Sequence, residues 1–169
     1  QNLRILNEVS YTIFMQKLKI MLDVRLKNYK NLLNFVVERT EKAFQELLEH
    51  RGYKGFTEFD HKSQKLTIHV NSLGDESECK DTKGLSGGER SFSTLSFIIS
   101  LWQSIDAPFR CLDEFDVFMD LINRRTSLKL LRDFAASHPN EQVILITPQD
   151  VSELNSSNDV SIFKLENPR

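Results

Sequence analysis

The sequence predicts an α/β protein entered by one long helix. Three observations carry this reading. From Gln1 to Arg51 neither glycine nor proline occurs, as suits a helix that neither residue interrupts. After Arg51, short runs rich in β-branched and aromatic residues alternate with runs of helical periodicity, the pattern of an α/β layer with a mainly parallel sheet. The 169 residues carry 22 Lys+Arg against 24 Asp+Glu, with 40% apolar residues, a balance that fits one globular domain and neither a disordered nor a collagen-like chain.

Several function classes are disfavoured at the outset. No apolar run approaches the roughly 20 residues needed to cross a bilayer, and Gln1-Asn2-Leu3-Arg4 does not resemble a signal-peptide start, so neither membrane insertion nor secretion is expected. Cys79 and Cys111 lie far apart with no CxxC or Cys/His spacing, and they read as reduced thiols in a cytosolic or nuclear protein. His50, His61, His69 and His138 lack metal-ligand spacing, and no Gly-x-Ser-x-Gly elbow is present. With a formal net charge of -2, nucleic acid would have to be held by a local patch rather than by overall basicity.

Within the first 51 residues, Tyr11, Met15, Leu18, Leu22, Arg25, Tyr29, Leu32 and Val36 follow at alternating steps of four and three, the period of a coiled-coil seam. A pair of ordinary bundle helices is the alternative, but no loop signal divides the segment. The predicted arm therefore covers 1–51, with Gly52 placed to cap it. Tyr53 to Phe59 and Lys65 to Val70 form a predicted hairpin around Asp60-His-Lys-Ser-Gln64. Asn71 to Lys83 is polar, largely acidic and aperiodic, and is predicted to be a mobile loop. Phe92, Leu95, Ile99, Trp102 and Ile105 mark a helix face, and Phe109 to Leu112 a short strand. Leu121, Ile122, Leu128, Leu131, Phe134 and Ala135 mark a second helix, Gln142 to Ile146 an apolar strand, and Val160 to Leu165 a final strand.

Two segments carry chemistry. In Leu85-Ser86-Gly87-Gly88-Glu89-Arg90, Ser86 and Glu89 have capping-box spacing. The two glycines go beyond what a cap needs, because they leave bare N–H groups able to approach an anion at the positive end of a helix. In Pro108-Phe-Arg-Cys-Leu-Asp113-Glu114, two adjacent carboxylates end a short strand, the edge at which open α/β sheets bind ligands. A solvated acidic turn is the plain alternative. The chemical reading gives Asp113 to Mg²⁺ and Glu114 to a water that it orients and polarises.

A Leu-Ser-Gly-Gly-Glu run followed by a strand ending Asp-Glu resembles the signature motif and Walker B segment of an ABC-type ATPase. The long arm makes the chain similar to the structural maintenance of chromosomes (SMC) family rather than to a transporter. Glu58-Phe-Asp-His61, Phe115-Asp-Val-Phe-Met-Asp120 and Ile146-Thr-Pro-Gln-Asp150 fit the same resemblance, which covers nearly the whole chain. It implies the C-terminal lobe of an ABC-type head over residues 52–169, joined to the descending coiled-coil strand. It further implies ATP and Mg²⁺ as cofactors, with ATP held between two heads. Ser86, Gly87, Gly88 and Glu89 would then act in trans on the partner head's nucleotide, and Asp113 would serve the head's own Mg²⁺. Glu114 would be the catalytic base, and Asp120 the D-loop aspartate that senses the opposite site. The implied partners are the N-terminal P-loop half of the same head, a second SMC head, a kleisin with accessory non-SMC subunits, and DNA, with no membrane. The implied location is the nucleus and chromosome.

Two departures qualify the resemblance. No Gly-x-x-x-x-Gly-Lys-Ser/Thr run occurs, so the cradle for the β- and γ-phosphates is missing and the isolated chain is expected to be inactive. Where many ABC ATPases place a switch histidine, this chain has Thr147-Pro148-Gln149; Gln149 can donate a hydrogen bond but cannot become a cation. The rival reading is a docking or dimerisation lobe without ATPase activity, against which the retained motifs weigh. A DNA-repair ABC ATPase with a nuclease partner would share the site but not the Thr147-Pro148-Gln149 segment. Lys17, Lys19, Arg25, Lys27 and Lys30 make the arm locally basic, either as a solvated coiled-coil face or as a contact for DNA phosphates.

Overall fold

The computed structural model describes residues 2–71, 80–81, 84–151 and 160–165. Helix α1 spans Asn2–Glu49 without a break, as the absence of glycine and proline predicts; its 48 residues would extend ~72 Å at ~1.5 Å per residue. The exposed seam residues include Tyr11, Met15, Leu18, Leu22, Tyr29 and Leu32. Residues 1–39 and 40–169 form two separate compact units, and the last turns of α1 belong to the second.

The end of α1 is a Schellman motif. Gly52 N donates to Glu49 O at 2.8 Å and Tyr53 N to Leu48 O at 3.1 Å, which satisfies carbonyls that the helix itself leaves open. Gly52 sits at φ 67°, a left-handed conformation that a Cβ disfavours. The chain thereby turns sharply into β1 (Lys54–Asp60), which pairs antiparallel with β2 (Lys65–Asn71) from Lys54↔Asn71 to Asp60↔Lys65. In the connecting turn Asp60 accepts hydrogen bonds from the Ser63 hydroxyl and from the N–H groups of Ser63 and Lys62. These donors hold its carboxyl below the usual range, the Ser63 hydroxyl contributing most.

The polar stretch after Asn71 differs from the expectation. Lys80–Asp81 forms a short strand, β3, paired antiparallel with His69 and Val70. Backbone groups on the free edge of β2 accept any extended neighbour, whatever its side chains. Residues 72–79 and 82–83, which carry the rest of the predicted loop and Cys79, lie outside the described residues.

Helix α2 (Gly87–Trp102) and helix α3 (Leu121–Ser137) follow, alternating with the strands β4 (Phe109–Asp113) and β5 (Gln142–Ile146). Ile105 falls beyond α2 and is 52% exposed; it is therefore not part of the helix face predicted from spacing. α2 is the centre of the lobe. Its Phe97 meets Phe44 of α1 edge-on at 5.9 Å, and Phe59 of β1 at 6.4 Å. Phe92 meets Tyr53 at 5.7 Å, and Trp102 meets Phe134 of α3 at 5.5 Å. Phe44, Leu48, Phe92, Ile99 and Leu131 are all within 1% of full burial; each such side chain contributes on the order of 2 kcal/mol relative to exposure.

β4 and β5 pair in parallel, from Phe109↔Gln142 to Asp113↔Ile146. β4 and β5 form a two-stranded sheet of their own, and β1–β3 form a separate antiparallel sheet. The predicted hairpin and the parallel layer after it are thus both present: a short turn joins β1 and β2, whereas β4 and β5 are separated by a helix long enough for a parallel crossover. The final strand predicted over Val160 to Leu165 is not found. Val160 makes a single bridge and residues 161–165 are irregular, with Phe163 and Leu165 87% and 88% exposed; apolar composition alone cannot make a strand without a neighbour to pair with.

Replacing Gly52 by Ala is expected to destabilise the lobe by about 1 kcal/mol, because the left-handed cap must then carry a Cβ. Urea unfolding of the assembled head measures this, with Gly52→Asn, which tolerates that conformation better, expected to lose less.

Candidate functional site

The chemistry-bearing residues fall into two groups joined by the segment Glu114–Asp120. The first is the start of α2. Ser86 caps the helix: its Oγ accepts from Glu89 N at 3.3 Å, while Ser86 N donates to Glu89 Oε2 at 2.9 Å. The capping box inferred from spacing is therefore complete. The two glycines differ in their surroundings. A Cβ on Gly87 would meet nothing within 4 Å, whereas one on Gly88 would lie 3.3 Å from Asp120 Oδ2 and 3.4 Å from both Asp120 N and Asn123 Nδ2. Gly88 thus lets α2 lie close against the start of α3, and Gly87 leaves an open surface at the helix N-terminus.

Asp120 is the N-cap of α3. Its Oδ1 accepts from Ile122 N at 2.9 Å and Asn123 N at 2.8 Å, and its Oδ2 accepts from Asn123 Nδ2 at 2.9 Å. Asn123, 1% exposed, in turn accepts from Arg51 Nε at 2.7 Å. A hydrogen-bonded line therefore runs from the foot of α1 through Asn123 to Asp120, which abuts Gly88. Neither Arg51 nor Asn123 stood out in the sequence, since a single amide or guanidinium has no spacing signature.

The second group lies at the C-terminal ends of β4 and β5. Asp113 is the last residue of β4, paired with Ile146, and Glu114 N donates to Ile146 O at 2.9 Å. Glu114 has φ 48°, a strained conformation for a residue with a long side chain, of the kind that concentrates at functional positions. Both residues are exposed. Among the described residues their carboxylates make no hydrogen bond or ion pair, in contrast to Asp116 and Asp120, which are fully engaged. Two adjacent unengaged carboxylates at a parallel-sheet edge suit a hard cation that takes one or two carboxylates and completes its shell with phosphate and water. No three His, Cys, Asp or Glu side chains cluster as an all-protein metal cage among the described residues.

The third carboxylate of the segment is Asp116, wholly buried. It accepts from Arg124 Nε at 2.8 Å, and Thr147 Oγ1 lies 2.7 and 2.9 Å from its two oxygens. Gln149 is turned inward: its N donates to Thr147 Oγ1 at 3.1 Å and its Nε2 reaches Asp116 O at 3.5 Å. Asp113, Glu114 and Gln149 are thus brought to one edge, while Ser86, Gly87, Gly88, Glu89 and Asp120 occupy the other group. No hydrogen bond joins Ser86 or Glu89 to Asp113 or Glu114 among the described residues.

The sheet between them has one covered and one bare face. Arg110 and Leu112 are buried beneath α2 and α3, whereas Phe109, Cys111 and Asp113 of β4 and Ile144 and Ile146 of β5 are exposed. No helix is long and apolar enough to cross a membrane among the described residues.

This arrangement of lobe and long helix is the C-terminal lobe of an ABC-type head, and the chain belongs to the SMC family. Within that family it is similar to structural maintenance of chromosomes protein 6. Identity is 42% over 156 residues with the human protein, 38% over 153 with that of Dictyostelium discoideum, and 32% over 160 with that of Saccharomyces cerevisiae. The alignments cover 92%, 87% and 91% of this chain but 14%, 13% and 14% of those proteins, so the chain spans about a seventh of their length. No family model matches it. Among solved structures, an Smc head bound to the C-winged helix domain of ScpA is similar with a TM-score of 0.64 at 26% identity, over 74% of this chain and 39% of that one. The Smc head with a coiled coil and joint from Pyrococcus yayanosii gives a TM-score of 0.63 at 26% identity, over 75% and 25%.

Proposed function

We propose that this chain is the C-terminal half of an ATP-hydrolysing SMC head in a DNA-binding complex that maintains and repairs chromosomes in the nucleus. The observation that carries the reading is the pair Asp113 and Glu114: two exposed, unengaged carboxylates at the end of a parallel strand, one of them on a strained backbone. A docking lobe has no need for that strain. Bound Mg·ATP would supply the polarised γ-phosphate. Asp113 would hold the Mg²⁺ and Glu114 would orient the attacking water and take its proton. Ser86, Gly87, Gly88 and Glu89 would present an N–H-rich helix end to the nucleotide of the opposite head, and Asp120 would report across the same junction. The chain would thus contribute to two active sites.

The bare face of β4–β5 supports the need for a second half. Parallel strands are ordinarily covered on both sides, and here Phe109, Cys111, Ile144 and Ile146 face outward. In this proposal the N-terminal P-loop half of the same head covers them and brings the phosphate cradle. The exposed seam of α1 calls likewise for a second helix, which the antiparallel return of the arm would supply, and 1–51 is assigned to that arm. Ile13, Ile20 and Val24 are exposed as well and lie away from the seam by helical position, leaving room for a further apolar contact. A kleisin and accessory non-SMC subunits, a second head of the structural maintenance of chromosomes protein 5 type, and DNA complete the assembly. ScpA bound to a similar Smc head supports the kleisin assignment.

The direct test is to mix the chain with the matching N-terminal half. ATP binding should appear only in the mixture, and Cys111 should become protected from alkylation when the halves join. ATP binding by this chain alone, or unchanged Cys111 reactivity in a mixture that binds ATP, would refute the division of labour. In the complete two-headed assembly, Glu114→Gln should retain nucleotide and trap engaged heads, with turnover reduced at least tenfold; unchanged hydrolysis would remove Glu114 from the base role. Ser86→Arg should abolish head engagement while leaving nucleotide binding to this head intact, as measured by crosslinking and equilibrium binding. Loss of that binding with the dimer preserved would contradict action in trans.

A further inference from the structure

We infer that Asp116, Arg124 and Thr147 form a positioning unit that sets the turn carrying Gln149 against the turn carrying Glu114. This rests on the ATPase reading and names residues to which that reading gives no part. The two turns follow different strands and are separated by α3, so their relative placement is not fixed by local geometry. Asp116 lies two residues beyond Glu114 and is completely buried. Its carboxylate receives the Thr147 hydroxyl from the other turn and Arg124 Nε from α3. Arg124, 6% exposed, reaches further with its Nη2 to Asp150 O at 2.6 Å, one residue past Gln149. Thr147 Oγ1 accepts Gln149 N, and Asp116 O lies within reach of Gln149 Nε2. With Glu114 N bonded to Ile146 O, each end of the second turn is tied to the first or to α3.

A buried ion pair placed only for stability would need Asp116 and Arg124 alone, and such pairs contribute little net stability over apolar replacements. What it does supply is geometry: a buried carboxylate must satisfy its oxygens, and here the satisfying donors come from α3 and from the segment that bears Gln149. Pro148, between Thr147 and Gln149, further limits the backbone. The unit holds Gln149 at a set distance from the water-orienting carboxylate and keeps Glu114 in its left-handed conformation. None of the three side chains needs to touch nucleotide.

The test uses the complete assembly, with both halves of this head and the partner head, under saturating and limiting ATP. Thr147→Val removes the hydroxyl with little change in volume. Turnover should fall about tenfold while KM for ATP and nucleotide-dependent head engagement stay within twofold, and Thr147→Ser should restore turnover. Arg124→Met should reproduce the turnover loss and provides a second reading should the valine variant fail to assemble. Melting temperature is followed for each. A lower melting temperature with unchanged turnover per assembled head, or a rise in KM with turnover kept, would overturn the positioning role. Absence of hydrolysis by the unmodified assembly would instead refute the ATPase reading on which it rests.

Discussion

Five parallel residue pairs between β4 and β5 decide where the chemistry of this lobe can lie. They bring the two strand ends, Asp113 and Ile146, level, so the turns that follow emerge side by side. The adjoining bond from Glu114 N to Ile146 O extends the ladder one step past the strand and holds Glu114 where its backbone would not otherwise rest. Shifting the register by one residue would reverse the faces of β5. Val143 and Leu145 would then face outward, and Ile144 and Ile146 would face the helices. The sheet is small, but the remaining geometry follows from its alignment.

The two ends of this sheet are built differently. At the N-terminal end, Arg110 is 4% exposed, lies against the rings of Trp102 and Phe134 at 5.4 and 5.5 Å, and donates to Trp102 O and Ile105 O. Glu141 stands 2.9 Å from its Nη2. The Arg110 charge is thus consumed by the fold, and truncating Glu141 would leave a buried guanidinium without its counter-ion. At the C-terminal end, the charges divide. Asp116 is consumed in the same manner, while Asp113 and Glu114 face outward. One end therefore locks α2, β4 and β5 together, and the other spends one carboxylate on structure and leaves two exposed and unengaged among the described residues.

Much of this was legible in the sequence, for identifiable reasons. Absence of glycine and proline gave α1 its length, and Gly52 its end. Ser86 and Glu89 announced a capping box because its spacing is local, and Asp113-Glu114 followed a run too short and apolar to be a surface helix. What could not be read depended on contacts distant in sequence. Lys80–Asp81 pairs with β2 against the expectation from its polar composition. Val160 to Leu165 looks like a strand by composition and makes one bridge only. Asp116 resembled any acid in an acidic turn until Arg124 and Thr147, 8 and 31 positions away, enclosed it. The left-handed φ of Glu114 has no signature at all, since glutamate is not a residue that announces such a conformation.

The exposed face of β4–β5 connects these observations. A parallel pair with apolar residues on both sides is poorly suited to water on one of them, and Cys111 and Asp113 share that side with Ile144 and Ile146. Whatever covers Cys111 therefore lies within about one residue spacing of Asp113, because alternate residues on one strand face are only about 7 Å apart. Covering the hydrophobic surface and completing the carboxylate site are then one event rather than two. A cover that buries Cys111, Ile144 and Ile146 also approaches the acidic edge, so on this face hydrophobic burial and access to Asp113 are physically linked.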